Sequence, residues 1–295
     1  MPELPDVTVY VEALARQTID ETLNEVRLAS PFLLRTAKPP LSAVAGRPVR
    51  QVERLGKRIV FGFDEELYMV IHLMIAGRFR WGKSGAKVPG RVGLAAFDFS
   101  SGTLLLTEAS SKKRASLHMV QGRKGLLENH SRGGLEISKL DATDFAKALT
   151  ARNHTLKRAL TDPRIFSGIG NAYSDEILFE ARLSPMKLTQ KLDEGELARL
   201  FAATQSILER FTAAIRAEAG EGLPAKVTAF RPDMMVHGRY KEACKVCETK
   251  IMRVAFAENE LNYCPRCQNE GRLLADRSLS RLMKKDWPKR VEELE

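Results

Sequence analysis

Four cysteines near the C-terminus have the spacing of a tetrahedral metal site. Cys244 and Cys247 are separated by two residues, and Cys264 and Cys267 repeat that spacing after a gap of sixteen residues. Two such pairs place four thiolates around one Zn²⁺, and a closed set of four protein ligands leaves no position for a substrate. We therefore expect one structural Zn²⁺ per chain. Disulfides are the alternative, but the acidic, proline-rich N-terminus does not resemble a secretion signal.

A glycine-rich turn is the second candidate for chemistry. Ser167-Gly168-Ile169-Gly170-Asn171 lies between Pro163 and a helix predicted to begin near Asn171. Glycines allow a tight turn that presents backbone N–H groups at a helix N-terminus, where phosphate groups bind. An ordinary turn between two helices is the alternative. The segment lacks the Lys-Ser/Thr of a nucleotide-binding P-loop, and no strand precedes it as in a dinucleotide-binding motif.

The composition favours a polyanionic partner. The chain has 295 residues, a formal net charge of +10 and a pI of about 9.5. Lysine and arginine paired to phosphates release condensed counterions, so an excess of them favours nucleic acid. No apolar run approaches the roughly 20 residues of a membrane span. We expect a cytoplasmic protein without a membrane partner, associated with the nucleoid if it binds DNA.

The elements that must position these residues change character along the chain. One helix is predicted at 7–25, and seven short strands follow at 49–54, 59–64, 67–71, 79–81, 93–98, 103–107 and 116–120. Short strands at near-regular spacing favour an antiparallel sandwich. Beyond residue 141 the apolar period is helical, at 144–151, 154–160, 171–181 and 194–217. The predicted domains are a β-sandwich at 1–125, a linker at 126–140, a helical domain at 141–235, a zinc finger at 236–270 and a charged tail at 271–295.

Four separated features, in this order, resemble the formamidopyrimidine-DNA glycosylase/endonuclease VIII (Fpg/Nei) family. They are the N-terminal Pro2-Glu3-Leu4-Pro5, the segment at 55–58 (LGKR), the block at 168–178 (GIGNAYSDEIL) and the four-cysteine segment. The resemblance spans most of residues 2–268. It implies an α+β multidomain fold, with an N-terminal antiparallel β-sandwich, a helical domain containing a helix–two-turns–helix element, and a C-terminal β-hairpin zinc finger.

The resemblance implies that Pro2 is a nucleophile once Met1 is removed. A terminal amine has a pKa near 8, so roughly a tenth of it is neutral at pH 7, far more than for a lysine. Such an amine can attack C1′ of a damaged nucleoside, expel the base and form an iminium intermediate. Glu3 is the implied general acid and base, and Lys57 the implied contact to phosphate or aid to proton transfer. An ordinary chain start is the alternative for Pro2 and Glu3.

Further DNA contacts follow from the same resemblance. The implied phosphate contacts are His72, Asn171 with its neighbour Gly170 in the turn, and Lys157 on the preceding helix. Ile75 stands where the family carries an intercalating methionine, and an apolar wedge fills the gap that an extruded base leaves. The basic run Lys112-Lys113-Arg114 is a further candidate for phosphate binding, with a solvated charged loop as the alternative.

Two departures from the family suggest a divergent branch. The family carries an arginine five residues before the third cysteine, where this chain has Asn259. The family's loop with an Arg–Phe wedge is replaced at 107–116 by TEASSKKRAS.

The implied function is a monomeric, bifunctional DNA glycosylase and abasic-site lyase of base excision repair. It would act on damaged double-stranded DNA by β-elimination, with δ-elimination left open by Asn259. The alternative is a non-catalytic or weakly catalytic binder of abasic or structurally damaged DNA.

Overall fold

A computed structural model describes residues 1–225, 231–256, 259–276 and 288–294, with the backbone alone at residue 259. The chain divides into two compact units. The first comprises Met1–Arg132 with Phe211–Thr228, and the second comprises Gly133–Arg210 with Ala229–Glu295. The five predicted domains are a finer division, and their limits stay predictions. Among the described helices, none is long and apolar enough to cross a membrane.

The first unit begins with helix α1, Leu4–Thr18, and strand β1, Thr22–Leu28. Its helix starts after Glu3 because the Asp6 carboxylate accepts a hydrogen bond from the Glu3 N–H (2.9 Å) and Pro5 lies in the first turn, where no N–H is needed. The helix predicted at 7–25 ends earlier than expected. Ile19 is extended and Asp20 adopts a positive φ of 64°, which terminates the helix before β1 pairs with a later strand.

Eight antiparallel strands form the body of the first unit, in the order β5-β7-β6-β1-β2-β3-β4-β8. The two halves of this sheet meet through only two residue pairs between β1 and β2. Apolar side chains from both halves and from α1 fill one common core, as the sandwich prediction requires. After β1 the strands are β2 Arg47–Leu55, β3 Arg58–Phe63, β4 Leu67–His72, β5 Gly77–Gly82, β6 Gly93–Phe99, β7 Thr103–Glu108 and β8 Ser116–Gln121.

The polar stretch after β8 is more ordered than the predicted linker. Helix α2, Arg123–His130, follows Gly122, whose φ of 82° turns the chain at its start. Leu126 of this helix is buried against Val60, Val70 and Val120 on the outer face of the sheet. Leu126 and the buried His130 are the two residues that dock this otherwise polar helix, and such a pair is a weak signal in the sequence.

The second unit is mainly helical. Its helices are α3 Ala142–Thr150, α4 Leu156–Thr161, α5 Asn171–Glu180 and the N-terminal part of α6, which spans Glu194–Ala219. Side-chain oxygens of Asp141 and Thr155 cap the first turns of α3 and α4. Residues Ala172–Phe179 of α5 are all buried, including three polar ones, so this helix forms the centre of its unit.

The C-terminal part of the second unit is a hairpin followed by a short helix. Strands β9, Met252–Phe256, and β10, Asn259–Tyr263, pair in antiparallel register. Helix α7, Pro265–Asn269, follows directly, with the Cys264 sulfur as its N-cap. The β-hairpin that the family resemblance implied for this segment is therefore present. Much of the predicted charged tail, 277–287 and residue 295, lies outside the described residues.

A tight turn between β4 and β5 carries the predicted wedge residue. The Gly77 N–H donates to the Leu73 carbonyl (2.9 Å), which closes the loop around Ile75. A Cβ atom at Gly77 would lie 2.3 Å from the Leu73 carbonyl oxygen, so only glycine fits there. Met74 has a positive φ of 52°, a further sign of how sharply the chain reverses.

We expect Gly77→Ala to destabilise the protein by about 2 kcal/mol, because the new methyl group overlaps backbone rather than a mobile side chain. The measurement is the urea midpoint of unfolding. Gly56→Ala is the matched control, since Gly56 has a φ of 62° and open space around its Cβ position. The control should lose only the left-handed strain of about 1 kcal/mol. Equal losses for both variants would contradict the steric explanation.

Candidate functional site

The four cysteines form a structural zinc site. Their sulfur atoms lie within 4.8 Å of one another, with 3.4 Å between Cys247 and Cys264 and 3.9 Å between Cys244 and Cys267. A zinc–sulfur bond of about 2.3 Å in a tetrahedron requires sulfur separations near 3.8 Å. A disulfide would need about 2.05 Å. The sulfurs therefore have the spacing for one Zn²⁺ and not for two disulfides.

Backbone hydrogen bonds support both halves of this site. The Val246 N–H donates to the Cys244 sulfur at 3.5 Å, and the Cys267 N–H donates to the Cys264 sulfur at 3.4 Å. Phe179, Val236 and Ile251 pack around the cysteines. These apolar contacts keep water away from the thiolates, while the N–H groups offset part of their negative charge.

The Asp175 carboxylate joins the glycine turn, the preceding helix and the zinc hairpin. Its side chain is 0% exposed and accepts hydrogen bonds from Lys157 Nζ (2.5 Å), His237 Nδ1 (2.7 Å) and the Asn262 backbone N–H (3.1 Å). Asn262 lies on β10, so one carboxylate connects α4, α5, residue 237 and the hairpin. A charge buried so completely requires such partners, because its loss of hydration is otherwise uncompensated.

Glu176, the next residue, fixes the segment around His237. Its carboxylate accepts hydrogen bonds from the backbone N–H groups of Met235 (2.7 Å), Val236 (2.9 Å) and His237 (2.9 Å). Burial raises the pKa of Glu176, and the three N–H groups oppose that rise by stabilising the carboxylate.

Lys157 and Asn171 are brought together beside the glycine turn. Lys157 Nζ donates to the Asn171 carbonyl (2.6 Å) as well as to Asp175, and its side chain is 12% exposed. Asn171 Nδ2 donates to the Glu260 carbonyl of β10 (2.6 Å). Gly170 is the N-cap of α5 and extended, with its carbonyl bonded to Ser174. In this arrangement Lys157 positions Asn171; direct phosphate contacts by Lys157, Gly170 and Asn171 stay predictions.

The N-terminal residues of the first unit form a second cluster. Pro2 is buried behind Met1, which is 37% exposed, and Glu3 is 3% exposed at the start of α1. Burial raises the pKa of Asp6 to about 6, even though the Glu3 N–H stabilises its ionised form. Two carboxyl groups therefore lie at the end of the chain, in a region largely shielded from water.

Burial lowers the pKa of the Met1 terminal amine, and four charged residues shift that pKa further in one direction or the other. Glu3 and Asp6 raise this pKa, while Arg78 and Lys57 lower it further. Lys57 occupies the two-residue turn between β2 and β3, so the hairpin brings it towards the chain terminus. Arg78, on β5, is a charged neighbour that sequence reasoning did not identify. The three predicted catalytic residues, Pro2, Glu3 and Lys57, thus share one region of the first unit.

His72 ends β4 and is largely shielded from water, whereas Ile75 lies exposed in the turn that follows. Burial, reinforced by Arg58, Lys57 and His118, lowers the pKa of His72 to about 4, so its imidazole is neutral at pH 7. A neutral imidazole still donates one hydrogen bond, as a phosphate contact requires. Ile75 is 52% exposed at the tip of its turn. That exposure suits a wedge, and the roles of His72 and Ile75 stay predictions.

The basic loop after β7 is organised by a carboxylate. Glu108 is 0% exposed and accepts from the backbone N–H groups of Arg114 (2.9 Å) and Ala115 (3.0 Å) and from the Ser110 hydroxyl (3.0 Å). Lys113 Nζ bonds the Glu108 carbonyl. Lys112 is exposed. Of the three predicted phosphate ligands, Lys112 therefore points into solvent and Lys113 is engaged within the protein.

Sequence reasoning missed the acidic residues that organise these sites: Asp6, Glu108, Asp175 and Glu176. The only signal for the last two was a pair of adjacent acids within an otherwise apolar helix. Such a pair is equally compatible with a solvent-facing edge. Burial of a carboxylate depends on donors from distant parts of the chain, and a sequence pattern does not display those.

Three family models match successive parts of the chain. The formamidopyrimidine-DNA glycosylase N-terminal domain matches residues 1–124, the formamidopyrimidine-DNA glycosylase H2TH domain matches 135–221, and the zinc finger found in FPG and IleRS matches 241–269. Among curated proteins, formamidopyrimidine-DNA glycosylase of Laribacter hongkongensis is 30% identical over 276 residues, which cover 91% of this chain and 100% of that protein. The corresponding protein of Desulfitobacterium hafniense is 27% identical over 287 residues, again with 91% and 100% coverage.

Solved structures agree on the fold. The MutM (FPG) protein from Thermus thermophilus superposes with a TM-score of 0.76 at 28% identity, covering 92% of this chain and 100% of that one. A Lactococcus lactis Fpg in complex with a THF-DNA and an inhibitor gives a TM-score of 0.79 at 21% identity, with 91% and 100% coverage.

Zinc content tests the metal site. Purified protein should contain about one Zn²⁺ per chain by elemental analysis, and Cys264→Ser should lose it, because three thiolates bind far more weakly than four. Removal with a chelator should lower the unfolding midpoint of the second unit, since zinc binding in such sites contributes about 10 kcal/mol. Restoration of the midpoint by added Zn²⁺ is the control. Metal-free protein with an unchanged midpoint would contradict a structural role.

Asp175→Asn should destabilise the protein by about 3–5 kcal/mol, because it leaves the Lys157 ammonium buried without its counter-charge. Urea unfolding measures the change. Asp193→Asn is the matched control: Asp193 is exposed and accepts from the Glu196 N–H (2.7 Å), a capping bond that asparagine replaces well. A loss below 1 kcal/mol at position 175 would refute the central role of this carboxylate.

Proposed function

This chain belongs to the formamidopyrimidine-DNA glycosylase family, and from that membership we propose that it is a DNA glycosylase with abasic-site lyase activity in base excision repair. Its partner would be damaged double-stranded DNA, bound by the monomer in the nucleoid. Zinc would hold the hairpin and take no part in the reaction. The substrate is proposed by class only, as a damaged base in a duplex.

The observation that carries this proposal is the environment of the chain terminus. Burial lowers the pKa of the Met1 amine, Glu3 opposes that shift and Lys57 adds to it, so both residues lie near the chain terminus. With Met1 attached, the Pro2 nitrogen is a tertiary amide and cannot attack, so the proposal requires removal of Met1. A secondary amine then occupies the same region, where partial burial favours its neutral, nucleophilic form.

The reaction would proceed in two stages. The Pro2 nitrogen attacks C1′, the bond from C1′ to the base breaks, and an iminium links protein and sugar. Glu3 supplies the proton that opens the sugar ring. The iminium acidifies the C2′ protons, and loss of one expels the 3′ phosphate by β-elimination. Expulsion of the 5′ phosphate by δ-elimination is the less supported step, because the hairpin has Asn259 where the family carries arginine.

Arg253 is the arginine nearest that position on the described hairpin, and it is already engaged. Its guanidinium lies 4.4 Å from the Tyr240 ring centroid and 3.1 Å from the Glu260 carboxylate. A phosphate would have to displace Glu260 before Arg253 could take the place of the missing arginine.

This engagement favours a second candidate function: a non-catalytic or weakly catalytic binder of abasic or structurally damaged DNA. A weak grip on the phosphates beside the lesion would slow turnover while the fold still recognised distorted DNA. The two candidates differ in one property, which is the formation of a covalent bond from the chain terminus to the sugar.

Borohydride trapping decides between the two functions. Protein shown by mass spectrometry to lack Met1, incubated with an abasic-site duplex and borohydride, should form a stable covalent complex. Glu3→Gln should slow excision of damaged bases by about 10²–10⁴-fold, because it removes proton transfer. It should still be trapped on abasic sites, where the base is already absent.

Glu12→Gln is the matched control on the same helix, where Glu12 pairs with Arg216 (2.8 Å). It should excise and trap like the unmodified protein. An N-terminal extension, which keeps Pro2 as an amide, should abolish trapping. Absence of a covalent complex from Met1-free protein would exclude the lyase mechanism and leave the binder.

A further inference from the structure

The outer face of the first unit's sheet carries a row of basic side chains beyond the predicted His72 contact. Arg58 pairs with His72 across β3 and β4, and His72 pairs with Ser116 across β4 and β8. Two residues along, Val70 pairs with His118. Directly paired residues and those two apart share one face of a sheet, so Arg58, His72 and His118 lie together, opposite the main core.

Helix α2 adds His130 to this face. The His118 and His130 rings contact edge to face, with centroids 4.8 Å apart, and His130 is 7% exposed. Both histidines line a surface cavity of about 880 Å³, together with Thr36, Lys38, Gln121 and Asn129. Lys38 is exposed at its rim, so the cavity is basic at its edge as well as along its wall.

The carboxylate that shares this face, Glu53 on β2 opposite Val60, is paired with Arg123. Among the described residues, no carboxylate forms an ion pair with Arg58, His118 or His130. Strands β3, β4 and β8 contain no Asp or Glu. On α2, Arg123 pairs with Glu53, and Lys124 with Glu128. Arg35, Lys38, Lys57 and Arg132 are the other basic residues of the neighbouring segments.

The pKa values reflect the same imbalance. Among the described residues, every charge that shifts the pKa of Arg58, His118 or His130 is positive. Burial lowers the pKa of all three groups, that of His130 to about 4, and the neighbouring cations lower them further. Arg58 is a half-buried cation without an ion-pair partner among the described residues, and an incoming anion would relieve the cost of its burial.

We propose that Arg58, His118 and His130 form an anion site that binds a phosphate group of the DNA backbone, adjacent to the contact proposed for His72. The bidentate guanidinium of Arg58 suits phosphate oxygens, and an imidazole of the pair donates a further hydrogen bond. A metal cation is disfavoured, because the fixed positive charge of Arg58 acts on the histidines. The DNA part of this inference rests on the proposed function; the anion site does not.

Inorganic phosphate tests the site without DNA. Added to the zinc-loaded full chain, it should shift the NMR signals of the His118 and His130 rings in a saturable manner. Arg58→Gln should weaken this binding at least fivefold. Lys124→Gln, on the same helix as His130 and with a largely exposed side chain, should not.

DNA binding tests the source of the phosphate. The logarithm of the binding constant for a duplex should fall less steeply with the logarithm of salt concentration in Arg58→Gln, by about one unit of slope. Lys38→Gln, which changes an exposed rim residue and so keeps the fold, should reduce the slope in the same direction. Lys124→Gln should bind with the slope of the unmodified protein.

The outcomes separate the two proposals. Unmoved histidine signals together with an unchanged salt slope overturn the site, whatever the protein does in trapping. A phosphate response with an unchanged salt slope overturns the DNA assignment and leaves a site for free phosphate. A phosphate response in protein that binds no duplex and is not trapped overturns the proposed function instead.

Discussion

The buried carboxylate of Asp175 is the constraint on which the second unit depends. An ionised group with no exposed surface is stable in a protein only if it is paired and hydrogen-bonded, and Asp175 has a cation, an imidazole and a backbone N–H as partners. Each partner comes from a different segment. The helix before the glycine turn, the segment at His237 and the zinc hairpin must therefore be in place together, or the charge is left uncompensated.

The zinc site and Asp175 perform complementary tasks. The metal ties the two ends of the hairpin region to each other, while Asp175 and the Gln268 side chain, which donates to the Leu183 carbonyl (3.1 Å), tie that region to the helices. In the first unit, Glu108 does the same for its basic loop and Asp6 for the start of α1. Asp6, Glu108 and Asp175 are thus three buried acids that hold neighbouring segments in place by accepting backbone N–H groups.

The sequence predicted what depends on local spacing. Strands β2 to β8, the long helices and the four-cysteine site follow from apolar periods of two and of about four residues and from the paired CxxC motifs. Prediction from the sequence failed where contacts with a distant part of the chain determine the local structure. The helix predicted to reach residue 25 ends at Thr18, because pairing with β6 makes Thr22–Leu28 a strand, and α2 is held by Leu126 and His130 packed on the sheet. In the sequence, Asp175 and Glu176 cannot be distinguished from acids on the surface, because the groups that donate hydrogen bonds to them come from distant segments.

For the candidate site, the resemblance supplied Pro2, Glu3 and Lys57. No pattern pointed to Arg58, His118 and His130 as a group.

Whether a basic side chain already has a partner matters more for phosphate binding than how many basic side chains lie nearby. On the second unit, three of the polar groups nearest the glycine turn and hairpin are committed within the protein: Lys157 to Asp175, Asn171 to the Glu260 carbonyl, and Arg253 to the Glu260 carboxylate. A phosphate arriving there must compete with each of these bonds. On the outer face of the sheet, no carboxylate forms an ion pair with Arg58 or the histidines among the described residues, and Arg58 bears the cost of partial burial near the positive Arg132. An anion gains more where a counter-charge is missing than where it must be displaced. With Asn259 in place of the family arginine, the proposed anion site on the sheet would supply phosphate affinity that the hairpin lacks.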